Sequence, residues 1–181
     1  MNDDQTLPQV RVETAFGAFT VVVHVDKAPV SAATFLALVR SGHLDGSSVF
    51  RILNDRNQPD DEHKVRTVQW GWYERKDNSL PGDRPAHEPT SVTGLRHLSG
   101  TMSMARRGTG TPGSEYFIIL HDEPELDFGG RRNPDGQGFA AFARVVDGFD
   151  VLERLHACGE DGQFVKKPVP ILSVRELSQM V

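Results

Sequence analysis

One arginine stands inside an apolar run, in Phe50-Arg51-Ile52, and its guanidinium is the group in this sequence best suited to chemistry. A guanidinium stays charged at any working pH and presents five N–H donors in a rigid fork. Taken alone, Arg51 reads as the outward residue of a half-buried strand, where alternation exposes it harmlessly. The other candidates carry less. Gly108-Thr109-Gly110-Thr111-Pro112-Gly113 matches the dinucleotide pattern by letter. That pattern needs a strand before it and a helix after it, and here a strand-like Tyr116–Leu120 follows. Seven histidines show no metal-ligand spacing, and a lone cysteine, Cys158, offers no thiolate pair, so neither metal nor cofactor is expected. Asp60-Asp61-Glu62-His63 lacks the alternating oxygens of a calcium loop and reads as a solvated turn. No G-x-S-x-G elbow supports a serine hydrolase.

The chain has 181 residues, enough for one domain with a sizeable core. Its net charge of −5 argues against non-specific binding to nucleic acid. No apolar run approaches the roughly 20 residues of a membrane span. The acidic start, Met1 to Gln5, has no apolar core of a secretory signal. With a single cysteine, this points to the cytoplasm, the periplasm staying open if a signal was removed earlier. Residues 1–8 read as a loose leader, and 9–178 as one domain.

Val10–Thr14 and Ala18–Val25 read as the strands of a hairpin turning at Phe16-Gly17. Pro29 opens a helix whose stripe is Ala32, Phe35, Leu36 and Val39, with Gly42 closing it. Ser48–Ile52, Val65–Trp72, Leu95–Ala105, Tyr116–Leu120, Phe139–Val146 and Val169–Leu177 read as further strands. Leu53–His63 and 74–94 read as loops, the first polar and exposed, the second long and proline-rich. A second helix is expected after Asp147 as its cap, with Phe149, Leu152 and Leu155 on its apolar side and Gly159 at its end. By alternation Trp70 and Trp72 share one face. Seven or eight antiparallel strands with two helices suit a closed β-barrel capped at its open ends better than a βαβ sheet.

Phe50-Arg51-Ile52, Val68-Gln69-Trp70-Gly71, Gly100–Ala105, Gly113–Ile118 and Phe139–Val146 follow in one order at compatible spacings. Together they resemble a cyclophilin-type peptidyl-prolyl cis–trans isomerase over residues 9–177. The tract from Pro124 to Phe139 is similar to a bacterial subgroup with a longer loop. The resemblance implies a mainly β fold, a closed eight-stranded antiparallel barrel capped by two α-helices. It also implies an isomerase acting on proline-containing polypeptides as a monomer, without nucleic acid, membrane or cofactor. Arg51 would be the catalytic residue, donating to the proline nitrogen as the amide twists. Gln69 would help hold the substrate backbone, the Ala105–Arg106 backbone would pair with the peptide, and Phe117 and Leu126 would form the proline pocket. Phe50 would belong to the same binding surface.

The sequence departs from the family at several of these places. Glu115 replaces a common Gln and could pair with Arg51 or Arg106. Arg106 stands where Asn is common, Thr67 where a bulky apolar residue often lines the pocket, and Phe139 where His is frequent. Glu125 takes the place of a Trp that contacts cyclosporin in some members, so weak binding of that drug is expected. The Leu53–Lys64 loop replaces a shorter family segment and could tune access to the groove. These changes keep open a second reading, a peptide-binding or chaperone-like module with little or no catalysis.

Overall fold

A computed structural model of the chain describes residues 6–73 and 84–178. Among these residues eight strands are present: β1 (Gln9–Thr14), β2 (Gly17–Val23), β3 (Ser48–Leu53), β4 (Thr67–Gly71), β5 (Thr101–Arg106), β6 (Pro112–Ile119), β7 (Ala140–Asp147) and β8 (Phe164–Glu176). Every pairing is antiparallel, and the order β1-β2-β7-β5-β6-β4-β3-β8 closes through β8 onto β1. Closure leaves the barrel without an unpaired edge.

Among the described residues three α-helices accompany it: α1 (Pro29–Arg40), α2 (Thr90–Thr93) and α3 (Phe149–His156). Pro29 sits at the start of α1, where its missing N–H costs nothing, and Gly42 follows with φ 69°. The buried stripe of α1 delivers Phe35 into the barrel, 5.0 Å from the Tyr116 ring, 5.3 Å from Phe142 and 6.4 Å from Trp70. Burying such a ring contributes about 1.5–3 kcal/mol.

Several expectations need correction. A third helix, α2, lies within the expected 74–94 loop, bounded by Pro89 and by Gly94 at φ 71°; residues 74–83 of that loop lie outside the described residues. Residues 95–100 form no strand, because the chain turns at Gly100 (φ 85°) before β5 begins. Asp147 ends β7 and does not cap α3, since Gly148 at φ 84° occupies the cap. The helix buries Val151, Leu152 and Leu155, and Phe149 is exposed over Gly100. The 53–63 loop is not wholly exposed: Asn57 and Gln58 are buried. Asn57 Nδ2 donates to the carbonyls of Ile52, Glu160 and Gly162, and Gln58 Nε2 donates to those of Asn54 and Val65. Their amides replace the backbone partners an irregular buried segment would otherwise lack. At the start of the described chain Leu7 is buried and the Pro8 carbonyl accepts from Val23 N.

Candidate active site on the outer barrel wall

Alternation along β4 and β6 divides their side chains cleanly. Val68, Trp70, Tyr116 and Ile118 join the main core, while Phe117 and Ile119 turn outward into a second apolar cluster with Leu53, Val65 and Leu126. In β3 the alternation is broken on purpose. Val49 pairs with Trp70 and Arg51 with Gln69, which leaves Phe50 as an extra residue in the ladder. This β-bulge keeps Val49 and Ile52 in the core and turns both Phe50 and Arg51 to the outer wall.

That wall carries two joined hollows. The smaller, about 110 Å³, is lined by Phe117, Leu126, Phe139, Leu53, Val65 and Thr67, with Arg51 and Gln69 at its mouth. Phe117 and Phe139 meet edge to face at 5.1 Å. The larger groove, about 860 Å³, runs past Phe50, Tyr73, Phe164, Arg107 and Glu115. Arg51, Gln69, Ala105 and Arg106 border both. Every residue expected at the site from sequence therefore lines one hollow or the other.

The guanidinium of Arg51 is fixed on two sides. Nη1 donates to Gln69 Oε1 at 3.2 Å, and Nε donates to Gln163 Oε1 at 3.2 Å. Nη2 makes a short bond to that same Gln163 oxygen. Three of five N–H groups are thus engaged among the described residues, which leaves one on each terminal nitrogen. Burial, then the charge of Arg132, lowers the Arg51 pKa, opposed by Asp61, Glu115 and Tyr73; the group remains a cation.

Among the described residues Glu115 acts on Arg51 through its charge, and its hydrogen bond goes to a glutamine. It accepts from Gln69 Nε2 at 3.2 Å, so its carboxylate orients the glutamine whose oxygen holds Arg51. Arg106 uses its side chain structurally. It binds Asp135 through both terminal nitrogens (2.8 and 3.0 Å), donates to the Gly138 carbonyl and covers the Phe139 ring. Only 2% of that side chain is exposed, so what Arg106 offers the groove is backbone. The β5–β7 ladder stops at Met104–Ala140, which leaves the Ala105–Arg106 backbone without a β7 partner. Arg132 reaches from the 127–139 loop to Asp61, so one member of the acidic turn bridges two loops at the pocket rim.

Gln163 has no local signal in the sequence; it lies 112 residues from Arg51, in the turn before β8. Its backbone carbonyl accepts from Ile52 N, and its amide donates to the Asn57 carbonyl. The residue is held on both sides, so its oxygen is a fixed socket for the guanidinium. Replacing it by Leu (Gln163→Leu) is expected to lower kcat/KM about tenfold, the scale of one charge-assisted hydrogen bond. Steady-state assays on an X–Pro peptide check this, and an unchanged kcat/KM would mean that Gln69 alone orients Arg51.

Ser103, His97 and Asp127 stand in the order of a hydrolase relay, at 2.8 and 2.7 Å. Ser103 is wholly buried, so its hydroxyl meets no substrate. His97 Nδ1 faces the Asp127 carboxyl and Nε2 faces the Ser103 hydroxyl, so each ring nitrogen has a partner. The His97 ring lies parallel to Phe117 at 6.2 Å, and Asp127 follows Leu126. The set is a strut beneath the small pocket.

Glu125 accepts from the Arg131 backbone N–H (2.8 Å) and from its guanidinium (2.9 and 3.2 Å), which holds the carboxyl down at about 2. A depressed carboxyl contributes above its unfolded pKa of about 4.3 and is lost only as pH falls through its folded value. The Glu125–Arg131 contact is therefore expected to survive at pH 3 and to open near pH 2. The Arg131 Nε–H resonance followed against pH tests this, and opening with a midpoint near 4.3 would contradict it.

A family model, the cyclophilin type peptidyl-prolyl cis-trans isomerase, matches residues 9–176. The chain belongs to the cyclophilins. A peptidyl-prolyl cis-trans isomerase of Arabidopsis thaliana is 32% identical over 158 residues, covering 85% of this chain and 84% of that one. One from Streptomyces antibioticus is 28% identical over 172 residues (91% and 93%), and isomerase B of Escherichia coli 27% over 164 (89% and 92%). A crystal structure of a Cryptosporidium parvum cyclophilin type isomerase aligns with TM-score 0.72 at 20% identity, over 95% of this chain and 98% of that one. The same protein in the presence of the dipeptide Ala-Pro aligns with TM-score 0.71 at 20% identity, over 94% and 99%. The cyclophilin barrel and its peptidyl-prolyl isomerase family thus agree with what the sequence alone implied.

Proposed function

We propose that this cyclophilin accelerates rotation about X–Pro bonds in flexible polypeptides, with Arg51 as its catalytic residue. The observation that carries the reading is the position of the guanidinium. It is anchored by two glutamines where a ring-sized apolar pocket meets an open groove. A void of about 150 Å³ accepts one benzene ring, and the 110 Å³ pocket is in the same size class.

Rotation of the amide has a barrier of ~18–20 kcal/mol, set by lost resonance. No nucleophile or acid is needed. Phe117, Leu126 and Phe139 hold the pyrrolidine, with Thr67 at the wall. The Ala105–Arg106 backbone pairs with the chain as an added strand would. As the amide twists, its nitrogen becomes a lone-pair acceptor, and the remaining Arg51 N–H groups can donate to it and to the prolyl carbonyl. Binding the twisted form more tightly than either planar isomer is the whole of the catalysis. Gln69 and Glu115 keep the fork aimed.

One domain over 9–178 would carry this activity, as a monomer on proline-containing chains. The single cysteine supports a cytoplasmic setting. Glu125, turned to Arg131, supplies no ring for cyclosporin, and the expected affinity is weak; submicromolar binding by calorimetry would refute this. Two-dimensional exchange NMR on a short Ala-Pro peptide tests the main reading. Cis–trans cross-peaks should grow at catalytic enzyme concentration. Peptide shifts that report binding without faster exchange would mark a peptide-binding module instead.

A further inference from the structure

The groove has a feature that proline recognition leaves unused. Phe50 stacks on Tyr73 with centroids 4.9 Å apart and planes at 17°. Tyr73 in turn lies 4.9 Å from Phe164, and Phe50 lies 6.4 Å from Phe164. Phe164 is 49% exposed and Tyr73 42% exposed, whereas Phe50 beneath them is only 4% exposed. Two large rings therefore offer open faces on a buried third, inside a concave surface. Exposed apolar area of this kind marks a contact for another molecule. The bulge in β3 places Phe50 outside, and the guanidinium of Arg51 lies 5.7 Å from the Phe164 ring. All three rings line the larger groove and none lines the small pocket, while Arg51 borders both.

We propose that Phe50, Tyr73 and Phe164 form a specificity platform for an aromatic or large aliphatic side chain next to the substrate proline. The proposal rests on the isomerase reading of the same groove. A chain whose proline sits in the pocket and whose amide meets Arg51 must pass a neighbouring side chain over these rings. Stacking there removes apolar surface from water on both partners, and the flat faces favour a ring or a branched aliphatic group over a charged one. The cations Arg84 and Arg107 also line the groove, so an acidic side chain is the competing occupant.

Two peptide series test this, Ala-Xaa-Pro-Ala and Ala-Ala-Pro-Xaa, with Xaa as Ala, Leu, Phe, Lys or Glu. Exchange NMR gives kcat/KM, and chemical shifts in the same samples give Kd. The full chain should prefer Phe and Leu over Ala by about two- to tenfold in one of the series. Both Phe164→Ala and Tyr73→Ala should bring that ratio close to one. Phe164→Ala also removes the ring beside Arg51, so Tyr73→Ala, which leaves that contact in place, is the stricter variant. Equal values for every Xaa, a preference for Glu, or a Phe preference that survives both substitutions would overturn the platform. Loss of all acceleration by the unaltered chain would fail the isomerase reading instead, and the Kd ratios would still decide the platform.

Discussion

Arg51→Ala should slow X–Pro exchange by roughly 10²–10³ in kcat/KM, the effect of removing a donor aimed at a transition state, ~2.7–4 kcal/mol. The fold should survive the change, because Arg51 belongs to the outer wall and the core beneath β3 is held by Val49 and Ile52. Circular dichroism and thermal unfolding of the variant check that the loss is chemical. Arg51→Lys is expected to fall nearly as far. An ammonium has no second edge, so it cannot sit in the Gln163 socket and reach Gln69 while also facing a substrate. The loss should appear mainly in kcat, since a proline ring in the pocket touches Phe117, Leu126 and Phe139 whether or not the fork is present. A variant that bound peptide equally well and isomerised it at the original rate would remove Arg51 from the mechanism.

Gly71→Ala should cost the folded state roughly 2–5 kcal/mol, from a Gly-only backbone conformation combined with overpacking. Gly71 has φ 121° and ends β4 beside β6. A Cβ there would lie 2.1 Å from the Ser114 carbonyl oxygen and 2.9 Å from Glu115 Cα. These are backbone atoms, so no rotamer change can relieve the contact. The strand would have to move, and with it Glu115 and the glutamine that Glu115 holds. Urea unfolding should therefore show a lower midpoint, and the surviving folded fraction should have reduced activity. A midpoint within 0.5 kcal/mol equivalent of the parent, about the spread of neutral surface changes, would show that the two strands yield more easily than their spacing implies.

Much of this was legible in the residues. The helix of α1 announces itself by Pro29, the stripe to Val39 and Gly42, and the structure places it at Pro29–Arg40. Along β4 and β6 of the candidate wall, side chains alternate between the main core and the outer cluster as period two requires. Resemblance named ten candidate site residues, and all ten line the two hollows. What stayed hidden has common physical causes. A β-bulge adds one residue without any change of composition, so the outward turn of Phe50 beside Arg51 cannot be seen in a pattern of period two. Gln163 acts at long range through closure of β8 on β3, and Phe164 precedes the apolar run from Val169 that signals the last strand. Asn57 and Gln58 look like loop residues because their amides are polar; they are buried because those amides replace missing backbone partners. Glu115 reads in sequence as open to pairing with an arginine; among the described residues it accepts from Gln69, and its charge still acts on Arg51.

The most direct test observes the guanidinium itself during turnover. With ¹⁵N-arginine labelling, the Arg51 Nε and Nη signals are assigned by their absence in Arg51→Lys and followed as an Ala-Pro peptide is added. The account predicts that they shift on binding and broaden with an exchange rate equal to the catalysed cis–trans rate, while the Arg131 signals stay still. Turnover of the peptide with the Arg51 signals unmoved would contradict it.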